Sequence, residues 1–267
     1  MGFPLSRFSL AEVQRWLIEE GVVGSVSATT LWRWLRLDAL RPWFYRSWMF
    51  PRDPLFLEKA GAVLDLYHRR WQGQPLGPKD YVLSADEKTQ IQALGRHAPV
   101  QPPVPGRTGR YDSEYIRGGT LAYLAALDVF SGRVWGRIDQ TTGIEPFGKL
   151  VDNVMQQQPY ANADRVFWIV DNGPSHHPNT FPARLNALYP NTLAVNVPFH
   201  ASWLNQIELY FSVLQRKALT PNDLATKQAL TERILGFEDH YNHTAKPFRW
   251  NFTRHDLAKR MRLLDAA

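Results

Sequence analysis

The sequence predicts an α/β domain with a mixed β-sheet flanked by helices, preceded by a small all-α region. Apolar residues at helical spacing dominate residues 1–48. Runs of β-branched and aromatic residues follow, first at 81–85 and later at 165–170. Helical patterns separate and follow these runs, and strands interleaved with helices are typical of an α/β sheet.

The N-terminal region is predicted to contain a helix-turn-helix. Ser9 is placed to cap a first helix, and Glu12 completes a capping box. After a short glycine-containing connection, Ser27 is placed to cap a second helix over 28–37. An ordinary helical hairpin with a solvated basic face is the alternative. Two outward arginines of the second helix are candidate DNA contacts: Arg33 and Arg36. The tryptophans of the region are expected in the core: Trp32, Trp34, Trp43 and Trp48.

A proline- and glycine-rich stretch at 73–78 is predicted to be a linker. We therefore expect a helix-turn-helix region and its linker over 1–75, and the α/β domain over 76–267. A helix is predicted before the linker, from about residue 55 to 71.

The elements of the α/β domain follow from the residue pattern. The run at 81–85 predicts a short strand, and a segment rich in proline, glycine and arginine at 99–110 predicts a loop. The remaining predicted elements are strands 120–130 and 133–138 joined by a tight turn, a helix over 144–157, strands 165–170 and 192–197, and helices 203–217 and 222–241.

Composition limits the possible functions. The net charge is +6 and the isoelectric point about 9.6, which favours a polyanionic partner. The sequence contains no cysteine, which excludes disulfides, thiolate zinc sites and thiol nucleophiles. No run approaches the roughly 18 apolar residues of a membrane span, and we find no signal peptide. A cytoplasmic protein that does not contact membranes is therefore expected.

Three acidic residues are the main candidates for chemistry. Asp86 and Asp171 each follow a predicted strand, at the position where α/β sheets place their ligands. Glu208 shares a predicted helical face with Leu204 and Phe211, so we expect it to face the core or a cleft rather than water.

Carboxylates in such places are costly unless a cation lies between them. Two divalent ions held by Asp86, Asp171 and Glu208 would suit in-line displacement at phosphorus. Oxygen ligands favour Mg²⁺, with Mn²⁺ as a second possibility. The alternative is that these residues are ordinary acids at strand ends and on a helix surface.

Further polar residues surround these acids in the sequence. Asn172 and Asn205 are candidates to orient the carboxylates, although roles in turns and helix caps are an alternative. His176 is a candidate to contact phosphate or to orient a metal-bound water, with a structural hydrogen bond to turn backbone as the alternative. Three arginines near the proline-rich loop are candidate phosphate contacts, although a solvated basic loop is an alternative: Arg107, Arg110 and Arg117. Strand alternation directs Glu87 away from Asp86, so Glu87 is not assigned to the site.

Four ordered blocks resemble those of the DDE transposases, specifically the bacterial insertion sequence 630 family within the Tc/mariner superfamily. They are Ser-Ala-Asp-Glu-Lys-Thr-Gln-Ile-Gln-Ala-Leu at 84–94, Tyr-Ile-Arg-Gly-Gly-Thr at 115–120, Val-Asp-Asn-Gly-Pro-Ser-His-His at 170–177, and His-Ala-Ser-Trp-Leu-Asn-Gln-Ile-Glu at 200–208. The interval of 36 residues between Asp171 and Glu208 also fits that superfamily. A tail motif, Tyr241-Asn242 followed by Lys-Pro-Phe-Arg-Trp at 246–250, is similar as well.

The resemblance implies an RNase H-like fold in which Asp86, Asp171 and Glu208 bind Mg²⁺ or Mn²⁺. It implies cleavage of double-stranded DNA at element ends and strand transfer into target DNA, typically at TA. A homodimer assembled on DNA and a bacterial, nucleoid-associated location are expected with it.

One departure concerns the N-terminus. Relatives carry an additional helix-turn-helix ahead of the one predicted here, so a truncated copy, a fragment or one part of a frameshifted element is expected. Two alternatives to a transposase stay open at this point. One is a catalytically inactive or domesticated DNA-binding protein, and the other is a metal-dependent nuclease without strand transfer.

Overall fold

The computed structural model describes residues 8–37 and 53–265, with side chains through Arg262. The chain divides into two compact units, Met1–Phe50 and Pro51–Ala267. This boundary precedes the one predicted after residue 75, because the helix Phe56–Tyr67 is part of the core of the second unit.

The first unit contains two packed helices, α1 (Leu10–Glu19) and α2 (Ala28–Leu37). The predicted capping box of α1 is confirmed, because Ser9 N donates to Glu12 Oε2 at 2.6 Å and Glu12 N donates to Ser9 Oγ at 3.2 Å. In α2, Leu31 is buried, but Trp32 and Trp34 are exposed, so their prediction as core residues is wrong. The guanidinium of Arg36 lies over the ring of Trp32, 5.0 Å from its centroid. Two other tryptophans predicted to be core residues lie outside the described residues: Trp43 and Trp48.

The second unit is an α/β domain, as predicted. Its elements are α3 (Phe56–Tyr67), β1 (Arg70–Trp71), β2 (Gln74–Pro75), β3 (Asp80–Arg96), β4 (Tyr115–Asp128), β5 (Val134–Asp139), α4 (Ile144–Met155), β6 (Arg165–Val170), α5 (Phe181–Leu188), β7 (Thr192–Asn196), α6 (Ile207–Lys217), α7 (Lys227–His243) and α8 (Arg254–Asp265). The predicted linker at 73–78 instead forms part of the β1–β2 hairpin, where Gly73 has φ 81°.

Five strands form a mixed sheet in the order β5-β4-β3-β6-β7. β5, β4 and β3 are antiparallel neighbours, whereas β3, β6 and β7 run parallel. Alternate residues pack on opposite faces: Leu124 faces a core shared with α4 and α5, and Tyr123 faces a core shared with α6 and α7. Because both faces are covered, β6 is apolar and buried from Val166 to Val170, as its sequence predicts.

Strand β3 is much longer than the predicted strand at 81–85. It continues to Arg96 because β4 pairs with it beyond the apolar run, from Leu83↔Asp128 to Arg96↔Tyr115. The parallel partner β6 ends earlier, and its last pair with β3 is Ser84↔Ile169. Asp86 therefore lies inside β3, not at its end, but just beyond the position where β6 stops covering that side of the strand.

The element that carries Glu208 also differs from its prediction. A 3-10 turn (Ser202–Leu204) precedes α6, so the helix begins at Ile207 rather than at residue 203. Helix α7 likewise begins later than predicted, at Lys227. Among the described residues, no helix has the length and apolar character needed to cross a membrane.

Candidate functional site

Asp86 is a buried carboxylate held by two hydrogen bonds. Its Oδ1 accepts from the backbone N of Glu87 at 2.7 Å, and its Oδ2 accepts from Asn205 Nδ2 at 3.2 Å. Burial and the negative charge of Asp171 raise the pKa of Asp86 to about 7. A carboxylate in this position is unstable as an anion without a nearby cation.

Asp171 follows the last residue of β6 and is paired with His176. Its Oδ1 lies 2.7 Å from His176 Nδ1 and also accepts from the backbone N of Gly173 at 2.7 Å. Burial would raise the pKa of Asp171, but these two hydrogen bonds outweigh it and lower that pKa. The carboxylate is therefore held ionised, with part of its surface open to solvent.

His176 is buried, with its ring 4.7 Å from the ring of Phe147. Burial would lower its pKa, but the hydrogen bond and charge of Asp171, together with Glu87, raise it. The structure thus places His176 against the carboxylate of Asp171, whereas the sequence suggested a contact with phosphate or with a metal-bound water. Its second nitrogen, Nε2, is buried without a hydrogen-bond partner and lies 3.9 Å from Glu87 Oε2.

Glu87 lies in this cluster, contrary to the prediction from strand alternation. Donor atoms of Asp86, Glu87 and His176 all lie within 4.8 Å of one another, and Ser175 Oγ donates to Glu87 Oε1 at 2.6 Å. Adjacent strand residues normally point to opposite faces. Here β6 has ended, so side chains from both faces of β3 can meet around its uncovered side. Nothing in the local sequence of Glu87 signals this.

Glu208 occupies the first turn of α6 and is exposed, so it does not face the core, which was one of the two orientations predicted, the core or a cleft. The prediction assumed one helix through Leu204, whereas the helix begins three residues later. Partial desolvation raises the pKa of Glu208, the positive charge of Lys88 opposes this shift, and the negative charge of Asp171 adds to it. The three predicted acids are thus near enough for their charges to act on one another.

Asn205 connects α6 to β3, the strand that carries Asp86. Its Nδ2 donates to Ala85 O at 3.0 Å as well as to Asp86, and its Oδ1 accepts from Ser84 Oγ. Ser84 Oγ in turn accepts from Ile207 N at 2.9 Å. This buried network fixes the start of α6, and hence Glu208, relative to Asp86. Ser84 was not predicted, because serine within an apolar strand has no distinctive signal.

The contacts of Asn172 fit the second of its two predicted roles, that of a turn residue. Its Nδ2 donates to Val197 O at 2.7 Å, which ties the segment after β6 to the segment after β7. None of its described hydrogen bonds reaches a carboxylate.

The arginines predicted to contact DNA lie away from the three acids. Arg107 and Arg110 are exposed in the loop between β3 and β4, and Arg117 is exposed on β4 opposite Leu94. Asp86 pairs with Ala125, so at about 3.3 Å per residue Arg117 lies roughly 25 Å further along the two-stranded ribbon. Arg33 and Arg36 are exposed on α2 in the other unit.

The side chains of the site fit a hard divalent cation. They provide carboxylate oxygens, which Mg²⁺ and Mn²⁺ prefer, and Asp86 is made unstable as an anion by burial and by neighbouring charge. A bound cation would relieve both effects. The hydrogen bonds of Asn205 and His176 leave further lone pairs free on the carboxylates, as a metal ligand requires.

Comparison with known families identifies the chain. A family model described as DDE superfamily endonuclease matches residues 82–231. The chain belongs to this family. The match covers more than half of the endonuclease and includes Asp86, Asp171 and Glu208. No curated protein sequence matches the chain.

Solved structures share the fold of this DDE endonuclease. The Mos1 mariner paired end complex with Mn has a TM-score of 0.54 at 16% identity, covering 92% of this chain and 74% of that chain. The pre-cleavage Mos1 transpososome has a TM-score of 0.53 at 15% identity, with the same coverage. At this identity the likeness shows the fold alone, and it confirms the RNase H-like class.

Proposed function

We propose that this DDE endonuclease is a DNA transposase of the insertion sequence 630 family within the Tc/mariner superfamily. It would cleave the ends of its element and join them to target DNA, typically at TA. The family match supports nuclease chemistry, and the ordered sequence blocks support the narrower assignment.

The convergence of Asp86, Asp171 and Glu208 carries the proposal. Strand β3, the segment that follows β6, and helix α6 are distant in sequence, and they bring these carboxylates within electrostatic reach of one another. Burial and the charge of Asp171 make the ionised form of Asp86 costly without a cation, and carboxylate ligands suit phosphoryl transfer with two metals.

The protein side chains would orient this site and shape its charge. Bound Mg²⁺ or Mn²⁺ would supply an activated oxygen nucleophile and stabilise the leaving oxygen. Asn205 holds Asp86 in a fixed orientation, and His176 and Gly173 do the same for Asp171. Glu208, exposed on α6, would complete the site from the side open to DNA.

Arginines distant from the three acids would bind the DNA. We propose that α2 is part of a helix-turn-helix that contacts DNA through Arg33 and Arg36. We also propose that Arg107 and Arg110 in the β3–β4 loop, and Arg117 on β4, contact phosphates. Since these arginines are exposed, such contacts would make binding weaken as salt rises. A homodimer assembled on DNA is part of the same proposal.

A nicking and joining assay on DNA with candidate element ends tests the proposal. With Mg²⁺ we expect cleavage and strand transfer by the wild-type chain and by Asp239→Asn, an exposed control on α7. Asp171→Asn should lose both reactions and keep DNA binding. Cleavage without joining would favour a simple nuclease, and binding without cleavage would favour a DNA-binding protein. Retained cleavage by Asp171→Asn would refute the ligand assignment.

A further inference from the structure

The two ring nitrogens of His176 have different surroundings. Nδ1 lies 2.7 Å from Asp171 Oδ1, whereas Nε2 is buried and has no hydrogen-bond partner among the described residues. The side chain is 1% exposed, so Nε2 is removed from bulk water. A buried polar nitrogen without a partner is costly, so a group that binds to Nε2 would recover free energy.

Nε2 of His176 lies next to carboxylates. It is 3.9 Å from Glu87 Oε2, which is too far for a hydrogen bond. One ligand atom from each of Asp86, Glu87 and His176 lies within 4.8 Å of the other two. The negative charges of Asp171, Glu87 and Asp86 all act on the imidazole. The cluster therefore combines carboxylates with one free imidazole nitrogen.

The position of the His176 ring is fixed by its neighbours. Its centroid lies 4.7 Å from that of Phe147 and 6.2 Å from that of Phe181. Asn196 Nδ2 donates to His176 O at 3.0 Å and to Asp171 O at 2.7 Å, which ties the turn after β6 to the end of β7. The imidazole is therefore held in one place by packing and by its backbone.

Glu87 is held through one oxygen, and the cluster is open to solvent on one side. Glu87 Oε1 accepts from Ser175 Oγ at 2.6 Å, which leaves Oε2 for the side of His176. The side chain of Glu87 is 11% exposed and that of Asp171 is 37% exposed. An ion can therefore reach the cluster past these two carboxylates.

The arrangement has the features of a metal site with a histidine ligand. A histidine that binds a metal through one nitrogen usually donates its other N–H to a carboxylate, and Nδ1 of His176 is paired in this way with Asp171. Bonds from zinc to nitrogen and oxygen are about 2.1 Å long, so two ligand atoms of a tetrahedral ion lie about 3.4 Å apart. The 3.9 Å between Nε2 and Glu87 Oε2 would have to shorten by about 0.5 Å. A small rotation of the Glu87 carboxylate about its soft terminal torsion would achieve this.

We propose that Asp86, Glu87 and His176 bind a transition-metal ion of borderline softness, of which Zn²⁺ is the representative. Imidazole nitrogen and carboxylate oxygen both suit Zn²⁺, whereas Mg²⁺ is bound through oxygen. Three protein ligands leave a fourth position for water. The site shares Asp86 with the proposed Mg²⁺ site, so Zn²⁺ would compete with Mg²⁺ for that carboxylate. The proposal goes beyond the proposed function, because it holds whether or not the chain acts on DNA.

Calorimetric titration of Zn²⁺ into the metal-free full chain tests the proposal. We expect saturable binding by wild type, and Glu87→Gln, which removes a charged ligand, should weaken it at least about 10-fold. Glu208→Gln, which changes the proposed Mg²⁺ site but none of the three ligands, should keep the Zn²⁺ affinity of wild type. Glu145→Gln, an exposed control on α4, should keep it as well.

The variant Glu87→Gln should fold, because the glutamine oxygen can still accept from Ser175 Oγ. His176→Asn provides a second variant, which removes Nε2 and should also weaken Zn²⁺ binding. Zn²⁺ binding that both variants retain would be adventitious and would overturn the proposal, as would absence of binding. An equal loss in Glu208→Gln would place the ion in the proposed Mg²⁺ site and would also overturn it. Cleavage with Mg²⁺ by a chain without a Zn²⁺ site would refute this proposal and leave the transposase assignment standing.

Discussion

Asp86 and Asp171, on the strand side of the site, are held in a different way from Glu208, which lies on helix α6. Asp86 and Asp171 each accept two hydrogen bonds, and both lie where β6 ends beside β3. Glu208 is exposed in the first turn of α6, and among the described residues it accepts no side-chain hydrogen bond. One side of the site is therefore oriented in advance, whereas the other is positioned through the helix that carries it.

This difference assigns separate tasks to the two sides. On the strand side, the ionised carboxylate of Asp86 is destabilised most strongly, by burial and by the charge of Asp171. The helix side can adjust its carboxylate at little cost, since a single exposed side chain changes rotamer freely. The Ser84–Asn205 network joins the two sides, and the substitutions below separate their contributions.

The largest effect is expected for Asp86→Asn on the strand side. Cleavage should fall more than about 100-fold, since a proposed metal ligand is lost. The same variant should be more stable without metal by about 1 kcal/mol at pH 8, because a buried, repelled charge is removed. Cleavage rates and thermal unfolding measure both effects. A less stable variant would contradict the electrostatic account.

The connection between the two sides is tested by Asn205→Ala. We expect cleavage to fall about 10- to 100-fold, because Asp86 loses its orienting donor. The free energy of unfolding should fall by about 1 to 3 kcal/mol, since buried polar groups lose their partner. Asn186→Ala, at an exposed position of α5, is the matched control. Cleavage equal to that of the control would show that the network does not position the acids.

The helix side is tested by Glu208→Asp, which keeps the charge and shortens the side chain. Because α6 is fixed by Ser84 and Asn205, we expect cleavage to fall about 10-fold. Stability should change by less than about 0.5 kcal/mol, because the residue is exposed. A loss of stability as large as that of Asn205→Ala would mean that Glu208 is held as firmly as the strand acids.

The smallest effect on cleavage is expected for Arg165→Met, which acts on the strand side far from the acids. Arg165 forms two hydrogen bonds with Asp80 at the start of β3, at 2.9 and 2.5 Å. We expect stability to fall by about 1 to 2 kcal/mol and cleavage to change less than about twofold.

The pH dependence of the same variant follows from the pKa of Asp80, which the hydrogen bonds of Arg165 lower. A lowered folded-state pKa stabilises the protein above the unfolded value of about 3.9, and this stabilisation disappears as the pH falls through the folded value. The difference between wild type and variant should therefore shrink in acid. A difference that grew below pH 4 would contradict the ion pair.

The pattern of residues along the chain predicted the elements whose structure depends on their own sequence. The run at 165–170 gives β6 with its predicted bounds, because an apolar strand between two neighbours needs no other signal. The prediction for β3 was too short, because the polar second half of this strand forms only by pairing with β4. That pairing is a long-range effect that residue spacing cannot show.

In the candidate site, too, some residues were predicted from the local sequence and others depend on long-range structure. The acids Asp86 and Asp171 and their neighbour Asn205 were identified from the sequence, and the structure brings them together. Glu87 was missed, because its approach to His176 depends on where β6 ends. The exposure of Glu208 was missed because one 3-10 turn shifts the start of α6.

Calorimetric titration of Mn²⁺ into the metal-free chain tests the central claim most directly. Wild type and the exposed control Asp239→Asn should show the same saturable binding, and Asp171→Asn should bind at least about 10-fold more weakly. The readout is independent of DNA and of cleavage. Equal Mn²⁺ affinity in all three proteins would contradict the assignment of these acids as a metal site.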